Sequence, residues 1–147
     1  MKLPRYKLKS GDNLTTYEFI SEGPKGRISK LIQFTPTNLK DVYNLAFGDK
    51  NQLTGQIDDS VISNNNDSEK VLATVVATIY AFTDKYPDTW IYASGSTKSR
   101  TRLYRMGITK YLSEVKNDFE IFGEINDGWK NFKKNIDYDG FLIKRKK

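Results

Sequence analysis

The sequence has 147 residues, 37% of them hydrophobic and 13% aromatic, so a single domain with a sizeable core is expected rather than a disordered chain. It contains neither cysteine nor histidine, which removes disulfides, Cys/His zinc sites, thiol nucleophiles, histidine-ligated haem and every Ser-His-Asp or Cys-His catalytic arrangement. Its 24 cationic side chains outnumber its 18 carboxylates, and no apolar run suits a membrane span or a signal peptide, so a cytoplasmic protein with no membrane association is the expectation.

Residues 17–21 alternate aromatic or apolar with polar, Gly23, Pro24, Lys25 and Gly26 supply turn chemistry, and residues 27–34 resume the alternation. This reads as a β-hairpin. Residues 42–47, closed by Gly48 and Asp49, read as a third strand. Residues 50–66 form a long polar connection in which Gln56, Ile57, Val61 and Ile62 are the strand-like pieces. Asn66, three residues before Glu69, sets up a reciprocal helix cap. Val71, Leu72, Val75, Val76, Ile79 and Phe82 then recur at helical spacing, which places a helix over residues 68–86. Pro87 ends it.

Residues 89–93 are β-branched and aromatic, short enough for a buried strand, and run directly into Ser94, Gly95, Ser96 and Thr97. A second helix begins near Thr97 or Lys98, with Tyr104, Ile108, Tyr111, Leu112 and Val115 on one stripe. Gly107 inside that pattern costs roughly 1 kcal/mol relative to alanine and is a candidate kink or break. Residues 119–123 read as a strand, Asn126, Asp127 and Gly128 as a turn, and residues 138–143 as a last strand. The order lacks a sustained βαβαβ repeat. The expected fold is therefore α+β: a mostly antiparallel sheet with two main helices packed on it, as a single domain over 1–147.

The positive charge is uneven. Lys2, Arg5, Lys7 and Lys9 at one end and residues 144–147 at the other hold eight of the 24 cations, and the body between them is slightly acidic. The stretch 144–147 is expected to be a flexible, solvated tail. Within the body, residues 98–116 are the exception: Lys98, Arg100, Arg102, Arg105, Lys110 and Lys116 face only Glu114.

A strand that ends in Ser-Gly-Ser-Thr and feeds a helix points unpaired backbone N–H groups and the positive end of the helix dipole at one spot. Gly95 allows close approach, Ser96 and Thr97 offer hydroxyl donors, and Arg100, Arg102 and Arg105 follow. At 100° per residue Lys98, Arg102 and Arg105 fall within about 60° of one another, apart from the apolar stripe. Arginine suits phosphate because its planar fork makes two parallel hydrogen bonds and its charge does not titrate away. Cations in a first helical turn are disfavoured by the dipole, a cost an anionic ligand removes. The candidate anion-binding residues are thus Gly95, Ser96, Thr97, Arg100, Arg102 and Arg105. The plain structural reading has equal weight: an ordinary N-cap, an ordinary glycine turn and a solvated basic face.

The segment has neither a phosphate loop of Walker A spacing nor a G-x-G-x-x-G pattern. Asp58, Asp59 and Asp67 could meet a divalent cation, but their spacing fails the EF-hand pattern and solvated loop carboxylates explain them better, so no metal and no cofactor is expected. Tyr43, Tyr92 and Tyr104 could stack on bases, though core packing explains them more cheaply.

Three groups of residues resemble a family of small uncharacterised bacterial proteins, mainly from the Bacteroidetes, classed as a domain of unknown function. They are Tyr43-Asn44-Leu45-Ala46-Phe47-Gly48-Asp49; Ser63-Asn64-Asn65-Asn66-Asp67 with Lys70-Val71-Leu72-Ala73-Thr74-Val75; and Gly95-Ser96-Thr97 with Arg100-Thr101-Arg102-Leu103-Tyr104. The resemblance implies a small stand-alone bacterial protein and marks residues 95–104 as a family hallmark; it carries no activity, cofactor or partner with it.

The residues support a binding module for a phosphate-bearing ligand, either a nucleotide or a nucleic-acid backbone. One alternative is a histidine-free ribonuclease-like toxin enzyme, with arginine stabilising charge and Tyr104 beside Arg105 moving protons. Another is an interaction module whose arginines meet an acidic protein partner.

Overall fold

The computed structural model describes residues 5–11, 13–58, 63–95 and 98–147, with Arg100 described by its backbone alone. In chain order the elements are β1 (Lys9–Ser10), β2 (Thr16–Gly23), β3 (Gly26–Pro36), β4 (Val42–Asp49), α1 (Ser68–Lys85), β5 (Trp90–Ala93), α2 (Lys98–Asp118), β6 (Phe119–Ile125), β7 (Gly128–Asn131) and β8 (Gly140–Arg145). The strands form one eight-stranded sheet in the order β1-β2-β3-β4-β5-β8-β6-β7. Its ladders are antiparallel except β4 with β5. The fold is α+β in a single compact domain, as the alternating patterns predict.

Residues opposite each other across a ladder share a face of the sheet. The registers therefore carry one apolar face across it: Tyr17 opposite Ile32, Ile32 opposite Phe47, Phe34 opposite Leu45, Leu45 opposite Ala93, and Ala93 opposite Phe141. Both helices cover this face. Phe82 of α1 stacks on Phe34 at 4.3 Å between ring centroids, and Tyr80 meets Phe119 edge-on at 5.0 Å. Tyr104, Tyr111 and Val115 of α2 join the same core. The opposite face carries half-buried Trp90, Tyr92, Phe122 and Leu142, whose rings lean on one another: Trp90 on Phe122, and Tyr92 on exposed Trp129.

Several local expectations change. Helix α2 runs unbroken through Gly107, where a Cβ would stand 3.0 Å from Leu72 Cδ2; the glycine serves the approach of α1. The cap expected from Asn66 and Glu69 does not form: the N-cap position is Asp67, without a side-chain capping bond. Glu69 pairs instead with Lys110 of α2. Ile57 makes a single bridge to Lys50 rather than a strand, and Asp59, Val61 and Ile62 lie outside the described residues.

At the basic end, β8 takes in the first two residues of the 144–147 stretch, while Lys146 and Lys147 lie exposed beyond it. Lys144 and Arg145 are the last residues of β8, and Lys144 Nζ sits 5.0 Å from the centre of the Trp90 ring. Arg145 bonds Asp84 at 2.9 Å and the Thr83 hydroxyl at 2.8 Å, Lys146 N–H donates to the Asp118 carbonyl, and Lys147 reaches Asp88. Strand partners, Asp84 of α1 and Asp88 just beyond it were within reach, which composition alone does not reveal. Strands β1 and β7 had no sequence signal of their own.

Candidate functional site

Strand β5 is buried between β4 and β8, and its end delivers Ser94 and Gly95 to the start of α2. The Gly95 N–H donates to the Thr101 hydroxyl at 3.0 Å, which ties the strand end to the second turn of the helix. Beside this turn lies a cleft of about 340 Å³. One wall is Gly95, Lys98, Thr101, Arg102 and Arg105; the other is the 137–139 segment.

That second wall is fixed by packing. Gly123 of β6 has no Cβ, and one placed there would fall 2.3 Å from the Tyr138 ring, so the glycine makes room for the tyrosine. Tyr138 is buried against Phe132 and Phe141, and its hydroxyl accepts the Lys133 N–H at 3.0 Å. The Asp139 N–H donates to the Glu124 carbonyl at 2.7 Å. Asp137 and Asp139 are thereby held at the cleft.

Arg105 donates to the Asp137 carboxylate at 3.1 Å and to the Ile136 carbonyl at 3.4 Å. Lys98 and Arg102 are exposed and make no ion pair with a described residue. The cleft thus presents two uncommitted cations and a third already shared with a carboxylate. Behind it, the Tyr92 hydroxyl donates to Glu124 Oε1 at 2.8 Å, and burial pushes the Tyr92 hydroxyl up from its ordinary value. That phenol is neutral at physiological pH.

Of the residues singled out from the sequence, Gly95, Arg102 and Arg105 come together at this cleft, with Lys98. Ser96, Thr97 and the side chain of Arg100 lie outside the described residues. Sequence reasoning missed Thr101, Asp137 and Asp139; the two aspartates are 32 or more positions from Arg105, and nothing in their spacing announces the fold-back. Tyr104 is buried in the core rather than presented to the cleft.

The polar segment around Asn65 has a different role. Lys30, 2% exposed, bonds the Asp49 carboxylate and donates to the Ser63 carbonyl at 2.8 Å, while the Ser63 N–H donates to Asp49 Oδ2 at 3.1 Å. Asn65, 1% exposed, donates to the Ser21 hydroxyl and the Gly26 carbonyl and accepts the Lys25 N–H. Asp67 accepts from the hydroxyls of Tyr6 and Ser21, both at 2.5 Å. Of the carboxylates considered as metal ligands, Asp67 is thus an internal hydrogen-bond acceptor; Asp59 is outside the described residues, and no group of three or more candidate ligands occurs among those described.

The profile of the family of unknown function DUF6934 matches residues 2–146. The chain belongs to this family. No curated protein and no solved structure matches it. In this DUF6934 member the segment ending in Asp49 and the Ser63–Asp67 stretch meet in a buried polar clasp around Lys30 and Asn65. The third segment that carries the resemblance, residues 95–104, spans the turn and the first helical turns at the cleft. No helix among the described residues is long and apolar enough to cross a membrane.

Proposed function

We propose that this protein binds a phosphate-bearing ligand, a nucleotide or a stretch of nucleic-acid backbone, in the cleft between the start of α2 and the 137–139 segment. The observation that carries the reading is the convergence of Lys98, Arg102 and Arg105 on one concavity beside Gly95. A solvated helix face would point such side chains outward with no opposing wall. Here the opposing wall exists, and a dianion held by the facing cations would offset what Lys98 loses by standing at the positive helix end. The reading includes a cytoplasmic location and the small bacterial family that the sequence resembles.

The opposing carboxylates shape what can enter. Asp137 already neutralises part of Arg105, so a phosphate must compete with it, and binding is expected to be weak and salt-sensitive. The test is a ¹H–¹⁵N titration of the labelled protein with phosphate, a mononucleotide and a short single-stranded RNA at two salt concentrations. Saturable shifts at Gly95, Thr101, Arg102 and Arg105 that vanish in Arg102→Gln support the site. Shifts confined to residues 5–9 and 144–147, with Gly95 and Arg102 unmoved, would refute it.

A further inference from the structure

A separate groove lies at the other end of the sheet, where the chain before β1 parts from β2. Strand β1 pairs for two residues, Lys9 with Glu18 and Ser10 with Tyr17. Beyond Lys9 the segment turns away, because the Tyr6 N–H donates to the Thr74 hydroxyl of α1 at 2.8 Å. The parting opens a groove of about 630 Å³ between residues 5–9 and β2, floored by Tyr6, Leu8, Phe19 and Ile20.

The edge of β2 faces this groove. Thr15 accepts the Phe34 N–H, so the odd residues of this stretch bond toward β3. Thr16 accepts from Gly11, and the Glu22 N–H donates to the Tyr6 hydroxyl at 3.0 Å, so the even residues bond outward. Ile20 lies between them, and its outward N–H and C=O have no backbone partner among the described residues. An edge of this kind is a template for an added strand.

The rim is cationic. Arg5, Lys7, Lys9, Arg27 and Lys70 line the groove with two acids, Glu18 and Glu22. Glu18 is taken by Lys50 at 3.0 Å, and Glu22 faces Arg27 at 3.9 Å. Lys7 and Lys9 are exposed and have no carboxylate partner among the described residues; Lys70 rests over the Tyr6 ring. An apolar floor, a strand edge and an unbalanced positive rim together specify an occupant unlike the one proposed for the α2 cleft, whose walls are polar and of both signs.

We infer that this groove receives an extended acidic segment of a partner protein, one that pairs with Ile20 along the edge of β2, sets apolar side chains on Ile20 and Leu8, and places carboxylates against Lys7, Lys9 and Lys70. The inference stands whether or not the α2 cleft binds phosphate.

The experiment is selection of a random twelve-residue peptide library on the full-length protein, followed by binding of the enriched peptides to Lys7→Glu/Lys9→Glu and to Arg102→Gln. Lys7 and Lys9 are exposed, and an unchanged ¹H–¹⁵N spectrum away from residues 5–11 and Glu18 verifies that the double variant keeps its fold. Expected are enriched peptides rich in Asp and Glu with interspersed apolar residues. They bind the double variant at least about tenfold more weakly and Arg102→Gln equally, and their shifts map to Leu8, Ile20 and Glu22. Three results would overturn the inference: no enriched consensus, which leaves the lysines as guards of an edge strand; peptides indifferent to the double variant; or a short single-stranded RNA that displaces the peptides and binds the groove more tightly, which makes it a nucleic-acid surface.

Discussion

Two polar regions of this molecule use the same residue types in opposite ways. In the clasp, Lys30, Asp49, Ser63, Asn65 and Asp67 are closed in by the β2–β3 hairpin, and their donors and acceptors are spent on one another and on nearby backbone. In the α2 cleft, Lys98 and Arg102 stand exposed and Arg105 leans on a carboxylate that is itself 93% exposed. Burial decides the role. A charge removed from water must find its partner within the chain, whereas a charge left in water keeps its capacity for a ligand. The comparison also warns against reading function from polarity alone, since the segment richest in Asn and Asp proves structural.

The comparison breaks most visibly at Lys30. Replacing it with methionine strands Asp49 in the core, and urea unfolding is expected to show a loss of about 3–5 kcal/mol. Lys30→Met combined with Asp49→Leu removes both charges and is expected to recover most of that loss. An equal loss in the double variant would show that the pair is more than a buried charge with its counter-charge.

Tyr17 sharpens the same point from the side of an unsatisfied group. Its hydroxyl is buried without a hydrogen-bond partner among the described residues, and burial pushes it up to about 12. A phenol whose folded value exceeds its unfolded value of 10 holds its proton more firmly when folded. Its contribution to stability is therefore complete below pH 10 and is lost as pH rises from 10 to 12, by up to about 3 kcal/mol. Tyr17→Phe is expected to be neutral to slightly stabilising at pH 7 and to lose correspondingly less stability in that alkaline window, measured by denaturant unfolding at successive pH values.

Asn65→Ala leaves the Lys25 N–H and the Gly26 carbonyl short of a partner, and a loss of about 2 kcal/mol is expected in the same assay. The smallest effect belongs to the cleft. Arg102→Gln is expected to change stability by less than about 0.5 kcal/mol, while abolishing any phosphate-induced shift at Gly95 and Thr101. A large destabilisation there would move Arg102 from the ligand side of the comparison to the structural side.

What the sequence made legible were the parts governed by local periodicity. The hairpin around Pro24, the α1 stripe through Phe82 and the α2 stripe from Tyr104 to Val115 all carry their own repeat, and all occur where they were expected. Strand β7 did not announce itself because Gly-Trp-Lys-Asn has no alternation; it exists through pairing with β6. The position of β8 between β5 and β6, and so the binding of Arg145 to α1, follows from sheet order, which periodicity does not encode. At the candidate site the helix wall was readable by angle. The Asp137–Asp139 wall was not, because it depends on Tyr138 seating itself over a glycine fifteen residues earlier.

The placement of β8 also bears on how the chain is made. It is the last of the described strands to leave a ribosome, yet it stands between β5 and β6 and bonds to both. Until it arrives, the β6–β7 hairpin has no strand to join, and the parallel β4–β5 pair ends in an open edge. Completion of the sheet therefore rests on β8, which joins the β4–β5 edge to the β6–β7 hairpin.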